Sequence, residues 1–280
     1  MRVIDNAKDL RDWRKYSRNE GGTWAFVPTM GNLHDGHMQL VARAKELADQ
    51  VMVSVYVNPT QFGPNEDFAR YPRTPREDLA LLEAAGAQAV LMPDEAMIYP
   101  FGLDEAIGFT LPARYTNILC GADRPGHFQG VAAVVSRLFN LVAPDIAVFG
   151  NKDFQQLWLI RRLVADLHLP IAIEGVDIQR DADGLAMSSR NRYLSDAERA
   201  AAPLIYQTLI DSRDALKQGK AIANVLREGR EHLEAGGFAV QYLELRRQDD
   251  LQPAQDLSHP VVLLVAAKIG HTRLIDNITF

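Results

Sequence analysis

The sequence predicts an α/β protein: an open, doubly wound parallel sheet followed by a smaller α+β domain. Three observations carry that expectation. Apolar runs of strand length alternate with amphipathic runs of helix length through the first 176 residues, the pattern of successive βαβ units. Two strand-to-helix turns, PTMGNLHDGH (28–37) and FGNKD (149–153), carry glycine, histidine and lysine. Past Val176 the alternation gives way to a polar loop, a capped helix and three strand candidates.

Element by element, a polar helix spans roughly Ala7 to Ser17, and TWAFVP (23–28) reads as a short buried strand. GHMQLVARAKELADQ then reads as a helix, with Met38, Val41, Ala42 and Ala48 at helical spacing, and VMVSVYV as the next buried strand. A right-handed crossover puts both strand ends and the helix amino terminus on one edge of the sheet, the edge where doubly wound proteins bind ligands. Thr74-Pro75-Arg76-Glu77 has the form of a capping box with proline at the first helical position, opening a helix to Gly86 and the strand AQAVLMP. A helix from about Gln129 carries Val131, Val134, Val135, Leu138 and Val142 on one face; DIAVFG (strand), KDFQQLWLIRRLVADLH (helix) and PIAIEGV (strand) follow. In DIQRDADGLAMSSRNRY an Asp-Gly turn leads to a polar loop, and Ser195 and Glu198 form a capping box for a long helix ending near Gly219. AVQYLELRR, PVVLLVAAKIG and HTRLIDNITF complete a small antiparallel sheet beside two helices. The expectation is a Rossmann-like domain over residues 1–176 and a small α+β domain over 177–280.

Composition excludes several function classes. Acidic residues outnumber basic ones 36 to 30, a mildly negative surface unsuited to general attraction of nucleic acid or anionic membrane. Cys120 is the single cysteine, which excludes an internal disulfide and a multi-cysteine metal cage and accords with a reducing compartment. The first 22 residues are charged throughout, and no stretch approaches the ~18 uncharged apolar residues of a membrane span. A cytoplasmic location is expected.

The first turn of a helix presents unpaired backbone N–H groups and partial positive charge, so Met30 to His37 is a natural phosphate seat. His34 and His37, at i and i+3, can both donate to phosphate oxygens; the plainer alternative has Asp35 capping the helix and the histidines merely packed. Gly150-Asn151-Lys152-Asp153 opens another helix on the same edge, where Lys152 can reach a phosphate and Asp153 either takes a ribose hydroxyl or starts the helix. Met187-Ser188-Ser189-Arg190 supplies two hydroxyls and a permanent cation, although alone it reads as a solvated turn. Together they suit attack at the α-phosphate of a nucleoside triphosphate.

PTMGNLHDGH, YVNPTQFGPNED, YPRTP, LCGADRPGHFQGV, FGNKDFQQL, DGLAMSSRNRYLS and GHTRLIDNI occur in this order over nearly the whole chain. In this the sequence resembles the pantothenate synthetases, nucleotidyltransferase-related enzymes with an H-x-G-H motif. The resemblance implies ATP-dependent joining of pantoate to β-alanine through an enzyme-bound pantoyl adenylate, with release of pyrophosphate and AMP. It places Met30, Gly31, Asn32, Leu33, His34, Asp35, Gly36 and His37 against ATP, with His34, His37, Lys152, Ser188, Ser189 and Arg190 stabilising the phosphate charge. Gly150 and Asp153 are implied at the ribose, Asn151 with them among the ATP-binding residues, and Gln179 and Met187 beside the adenine. Gln61, Gln156, Met30, Asn58, Arg124, His127, Val134 and Val135 are implied around pantoate, and Gln61 again at β-alanine. Magnesium is expected with ATP, and Glu77 and Asp78 are the carboxylates offered to it, though Glu77 already has its capping role. The resemblance also implies a homodimer. Asn32 and Asp35 stand where alanine and glutamate are commoner, and Asn151 where glutamate is. Two rivals are a nucleotidyltransferase of the same fold acting on a phosphorylated acceptor, and a nucleotide-binding module without turnover.

Overall fold

The computed structural model describes residues 1–19, 21–64 and 66–280, with the backbone alone for 17–19. Asn65, within YVNPTQFGPNED, lies outside the described residues. The chain divides into two compact units, Met1–Asn151 with Gln156–Asp177, and Lys152–Gln155 with Ile178–Phe280. Residues 152–155 thus group with the second unit, although Phe154 and Gln155 open a helix whose remaining residues belong to the first.

The first unit contains β1 (Arg2–Ile4), α1 (Ala7–Asn19), β2 (Trp24–Thr29), α2 (Asp35–Leu47), β3 (Gln50–Val55), α3 (Pro75–Ala84) and β4 (Ala89–Leu91). Three short helices follow, α4 (Glu95–Ile98), α5 (Ala113–Thr116) and α6 (Leu119–Asp123), then α7 (His127–Val142), β5 (Ile146–Gly150), α8 (Phe154–Asp166) and β6 (Ala172–Val176). The strands pair in the order β1-β4-β3-β2-β5-β6, every described pairing parallel. From β2 the chain winds outward through β3 to β4, then returns to the other side of β2 as β5. The reversal between β2 and β5 leaves a crevice at their carboxyl ends, the switch point of a doubly wound sheet. Both glycine-bearing turns start there.

Alternation along β2 builds both faces of the sheet. Trp24 and Phe26 enter one core with Leu10, Trp13, Leu138, Phe139, Leu157 and Ile160, while Ala25 and Val27 enter the other with Val41, Ala44, Val53 and Leu82. Full burial of such side chains is worth about 1.5–3 kcal/mol each. Helix α7 departs from the one-faced amphipathic expectation: twelve of its sixteen residues are buried, because it is packed against the sheet on one side and α1 and α4 on the other.

Three local expectations are corrected, and one strand is added. Along α2 it is Ala44, not Ala42, that is buried with Val41, since the interval of three keeps residues on one face. Thr74 does not form a capping box with Glu77; its hydroxyl instead donates to Asp78 Oδ1 at 3.1 Å, while Pro75 does occupy the first turn. The long helix expected from Ser195 is broken at Pro203 into α9 (Asp196–Ala201) and α10 (Leu204–Lys217), because proline lacks the N–H that would continue the ladder. The strand β1, too short to show a pattern, pairs with β4 at the sheet edge.

In the second unit a 3₁₀ turn at Ser189–Tyr193 precedes α9, α10 and α11 (Ile222–Ala235), and the Ser195/Glu198 capping box forms as expected. Strands β7 (Ala239–Arg247), β8 (Val261–Ile269) and β9 (Thr272–Thr279) make an antiparallel sheet in chain order. Ile205, Leu209 and Leu216 of α10 and Val225 and Leu233 of α11 share a core with Leu243, Leu263 and Val265 of the sheet.

Candidate active site

After β2 the chain turns through Gly31 (φ +79°) and Asn32 (φ +50°), both left-handed. Glycine is required at the first: a Cβ there would lie 2.9 Å from Asp78 Oδ2 and 2.9 Å from a methyl of Val55. The turn points two backbone amides at the buried Asp78 carboxylate, Asn32 N–H at 3.0 Å and Leu33 N–H at 2.8 Å. With the Thr74 hydroxyl, three donors hold that anion, so the backbone of this loop is already engaged by the protein's own carboxylate.

The two histidines then cap α2 reciprocally. His34 is the N-cap residue, and its Nδ1 accepts the Gly36 N–H at 3.2 Å; His37 Nδ1 accepts the His34 N–H at 3.3 Å. This is a capping box in which imidazoles replace serine and glutamate. Asp35, the alternative cap, is instead the first helical residue and exposed. An accepting Nδ1 has no hydrogen, so each neutral ring carries its proton on Nε2, the nitrogen remote from the backbone. The rings lie 4.1 Å apart between centroids, inclined at 52°. Capping therefore fixes a paired set of side-chain donors, and this differs from the expected seat of bare backbone N–H groups: the Asn32, Leu33, His34 and Gly36 amides have partners within the chain.

A second cluster in the same unit surrounds the 3₁₀ turn Pro59–Gln61. The buried Gln61 donates from Nε2 to Met30 Sδ at 3.0 Å, and its Oε1 accepts from Asn58 Nδ2 at 3.2 Å. Asn58 also donates to Gly130 O at 3.3 Å and accepts the Tyr99 hydroxyl at 2.8 Å. The main-chain oxygen of Gln61 faces His127 Nδ1 at 2.8 Å, so Nδ1 carries the proton and Nε2 accepts from Arg124 Nη1 at 3.0 Å. Arg124 in turn forks onto Glu66 at 2.7 and 2.6 Å. Burial raises the Glu66 carboxyl, but the bond and charge of Arg124 outweigh it and hold it below the ordinary glutamate range. Helix α7 can approach this turn because Gly130 has no side chain; a Cβ there would lie 2.2 Å from Thr60 O.

Sequence reasoning named Met30, Asn58, Gln61, Arg124 and His127, and one connected network joins them. It missed Glu66, Tyr99 and Gly130, which support the rest; only a glycine inside an apolar helical run was a visible signal. Val134 and Val135 are core residues of α7. Gly150 ends β5, and Asn151 donates to Asp177 Oδ1 at 3.0 Å, tying the ends of β5 and β6. Gln156 is half-buried and Asp153 exposed.

In the second unit Lys152 O accepts the Asn277 amide at 2.9 Å. Arg180 and Ala186 pair across a hairpin that turns at Gly184 (φ +92°), and Met187 N–H donates to Gln179 O at 2.9 Å. Ser188 caps the 3₁₀ turn, its hydroxyl oxygen accepting Arg190 N–H at 3.3 Å, and Ser189 is buried. Lys152, Ser188 and Asp276 line one small cavity.

Glu77 and Asp78 do not converge as metal ligands. Glu77 lies on the exposed face of α3, while Asp78 is 1% exposed with both oxygens bonded. Among the described residues no group of three histidine, cysteine or carboxylate side chains could hold a metal ion, and no helix is long and apolar enough to cross a membrane.

Comparison with known proteins accords with this geometry. A family model described as pantoate-beta-alanine ligase matches residues 2–279. A pantothenate synthetase of Shewanella loihica is 51% identical over 97% of this chain and 94% of its own, and one of Chromohalobacter salexigens is 51% identical over 99% and 98%. The crystal structure of pantothenate synthetase from Thermus thermophilus superposes with a TM-score of 0.92 at 44% identity, covering 99% of both chains. A pantoate-beta-alanine ligase from Francisella tularensis, solved with β-γ ATP and β-alanine, gives 0.83 at 33% identity over 99% and 97%. A match along the whole length, joined to a pair of capping histidines at the switch point of the sheet, means that this chain belongs to the pantoate-beta-alanine ligase family.

Proposed function

We propose that this chain condenses pantoate with β-alanine at the expense of ATP, by way of a pantoyl adenylate. The pantoate carboxylate attacks the α-phosphorus and pyrophosphate leaves; the β-alanine amine then attacks the acyl carbon, forming the amide as AMP departs. The observation that carries the reading is the imidazole capping box at the crevice between β2 and β5. It holds two Nε2–H donors ready before ATP arrives, so charge developing on the phosphates meets donors that need no reorganisation. His34 and His37 fill that role; Lys152, Ser188, Ser189 and Arg190 add donors to the same charge, and Met30 to His37 with Gly150 to Asp153 seat the nucleotide.

Gln61 takes pantoate and later β-alanine, with Gln156 as a second amide for the hydroxy acid. Arg124 and His127 serve through Gln61: the guanidinium is engaged by Glu66 and the imidazole by the Gln61 carbonyl, so both set the turn. Magnesium enters on the ATP phosphates, whose charge it neutralises, as part of the substrate; the Asp78 carboxylate, committed to Asn32 and Leu33, does not fit as its ligand. Residues 177–280 act as the lid domain; the homodimer rests on the sequence resemblance, and the cytoplasmic location on the cysteine usage and charged amino-terminal stretch.

Incubation with ATP, magnesium, pantoate and β-alanine tests the reaction. AMP and an amide in equal amounts are expected, with pantoate-dependent exchange of labelled pyrophosphate into ATP. A stable nucleotidylated product, or no exchange, overturns it. Light scattering tests the dimer.

A further inference from the structure

Lys152 and the hairpin that leads into Ser188–Arg190 lie far apart in the chain, yet both are fastened to consecutive residues of β9. Asn277 donates from Nδ2 to Lys152 O at 2.9 Å. Asp276, 4% exposed, receives both Arg180 nitrogens, Nη1 on Oδ2 at 2.6 Å and Nη2 on Oδ1 at 2.9 Å. Arg180 starts the hairpin that delivers residues 187–190: its Nη1 also donates to Gly184 O at 3.0 Å, its backbone pairs with Ala186, and its guanidinium lies 3.6 Å from the centroid of the Tyr206 ring. Gly184 is confined by that ring, which a Cβ would meet at 2.6 Å. The Arg180 fork is thus held on all sides, and a bidentate pair fixes direction as well as distance.

We propose that Asp276 and Asn277 are positioning residues: adjacent on one strand, they set the Lys152 backbone and the Ser188–Arg190 turn at a constant spacing, so the donors of both are in register for one phosphate group. The proposal rests on the reading of Lys152 and Ser188–Arg190 as phosphate donors. Neighbouring strand residues are about 3.3 Å apart, with side chains on opposite faces, and cannot slide past one another, which makes one strand a rigid gauge for two segments far apart in the chain. Asp276 and Asn277 touch no reacting atom in this scheme; they act through the groups they hold.

Asn277 carries the decisive test, because loss of one member of the buried Arg180–Asp276 pair endangers folding. Asn277→Ala, with the isosteric Asn277→Asp as a second variant that places an acceptor against Lys152 O, is expected to lower pantoate-dependent pyrophosphate exchange in kcat by about tenfold to a hundredfold, as a misplacement near 1 Å does. KM for pantoate is expected to stay within about threefold. Combined with Lys152→Ala, Asn277→Ala is expected to add less than about twofold, since a residue that acts through Lys152 has nothing left to position. Arg180→Lys, which keeps the charge and loses the fork, is expected to show the same non-additivity with Arg190→Ala. Multiplying losses in either pair, or full exchange in Asn277→Ala, overturns the proposal. Full exchange in Lys152→Ala instead removes the catalytic reading of Lys152, and the proposal falls with it.

Discussion

Gly130→Ala tests how the Gln61 turn is seated. The new methyl would stand 2.2 Å from Thr60 O, 2.5 Å from Thr60 C and 2.7 Å from Gln61 N. All three are backbone atoms, so no rotamer change relieves the contact. Opening the first to the 3.4 Å where ordinary contact begins requires a shift of 1.2 Å, taken either by the Pro59–Gln61 turn or by α7. Helix α7 is buried nearly all round, so the turn moves. Overpacking costs about 1–3 kcal/mol, and straining the Asn58 to Gly130 O bond about another 1 kcal/mol. Alanine in place of glycine in a helix returns about 1 kcal/mol. The net loss is then about 1–3 kcal/mol, read as a lower denaturant midpoint with unchanged slope. The catalytic effect is larger: a 1 Å misplacement of a substrate-positioning group costs about a hundredfold. Steady-state pantothenate formation is expected to show kcat/KM for pantoate down by about that factor and KM for ATP moved less than about threefold. A kcat/KM for pantoate within about threefold of the parent, in a folded variant, refutes the claim that this close approach positions Gln61.

Further substitutions separate capping from chemistry and test the carboxylates. His34→Asn and His37→Gln keep side-chain acceptors suited to an N-cap and a third helical position, so melting should change little, yet each removes an Nε2–H and should cut pyrophosphate exchange by about a hundredfold to a thousandfold. His37→Ala should show the same loss of exchange plus about 0.5–1 kcal/mol of stability, read by chemical denaturation, because the capping bond goes too. Asp78→Asn places an amide among two N–H groups and a hydroxyl, one of which is left unsatisfied; a cost of about 1–3 kcal/mol is expected, equal with magnesium and with chelator. Magnesium rescue of that variant would restore Asp78 as a ligand. The Glu66 carboxyl, held low by Arg124, contributes stability that is complete above the ordinary glutamate range and is lost as pH falls through its lowered value. Glu66→Gln should therefore be less stable than the parent at neutral pH, with the gap closing in acid. A gap that stays constant with pH would dismiss the ion pair as its source.

The order of strands and helices was legible because its causes are short in range. An apolar run bounded by glycine, a three-residue capping pattern at Ser195 and Glu198, and a strand-helix-strand length sufficient for a right-handed crossover are all local, and together they place the turns after β2 and β5 at one sheet edge. The motifs pointed to the residues by identity. What they touch was not legible. Asp78 and the amides of Asn32 and Leu33 are 46 and 45 positions apart, and only folding puts a buried carboxylate under that turn, which engages the backbone amides there. The Arg124–Glu66 fork spans 58 positions and the Lys152–Asn277 bond 125. No periodicity encodes such pairs, because each depends on where two independently formed elements come to rest. Thus the sequence alone determined which elements form and which side chains could bear the chemistry, while tertiary packing decided the tautomer of His127, the partners of Asp78, Glu66 and Asp276 and the glycine that lets α7 meet the Gln61 turn, since those are set by contact distances that only the assembled units define.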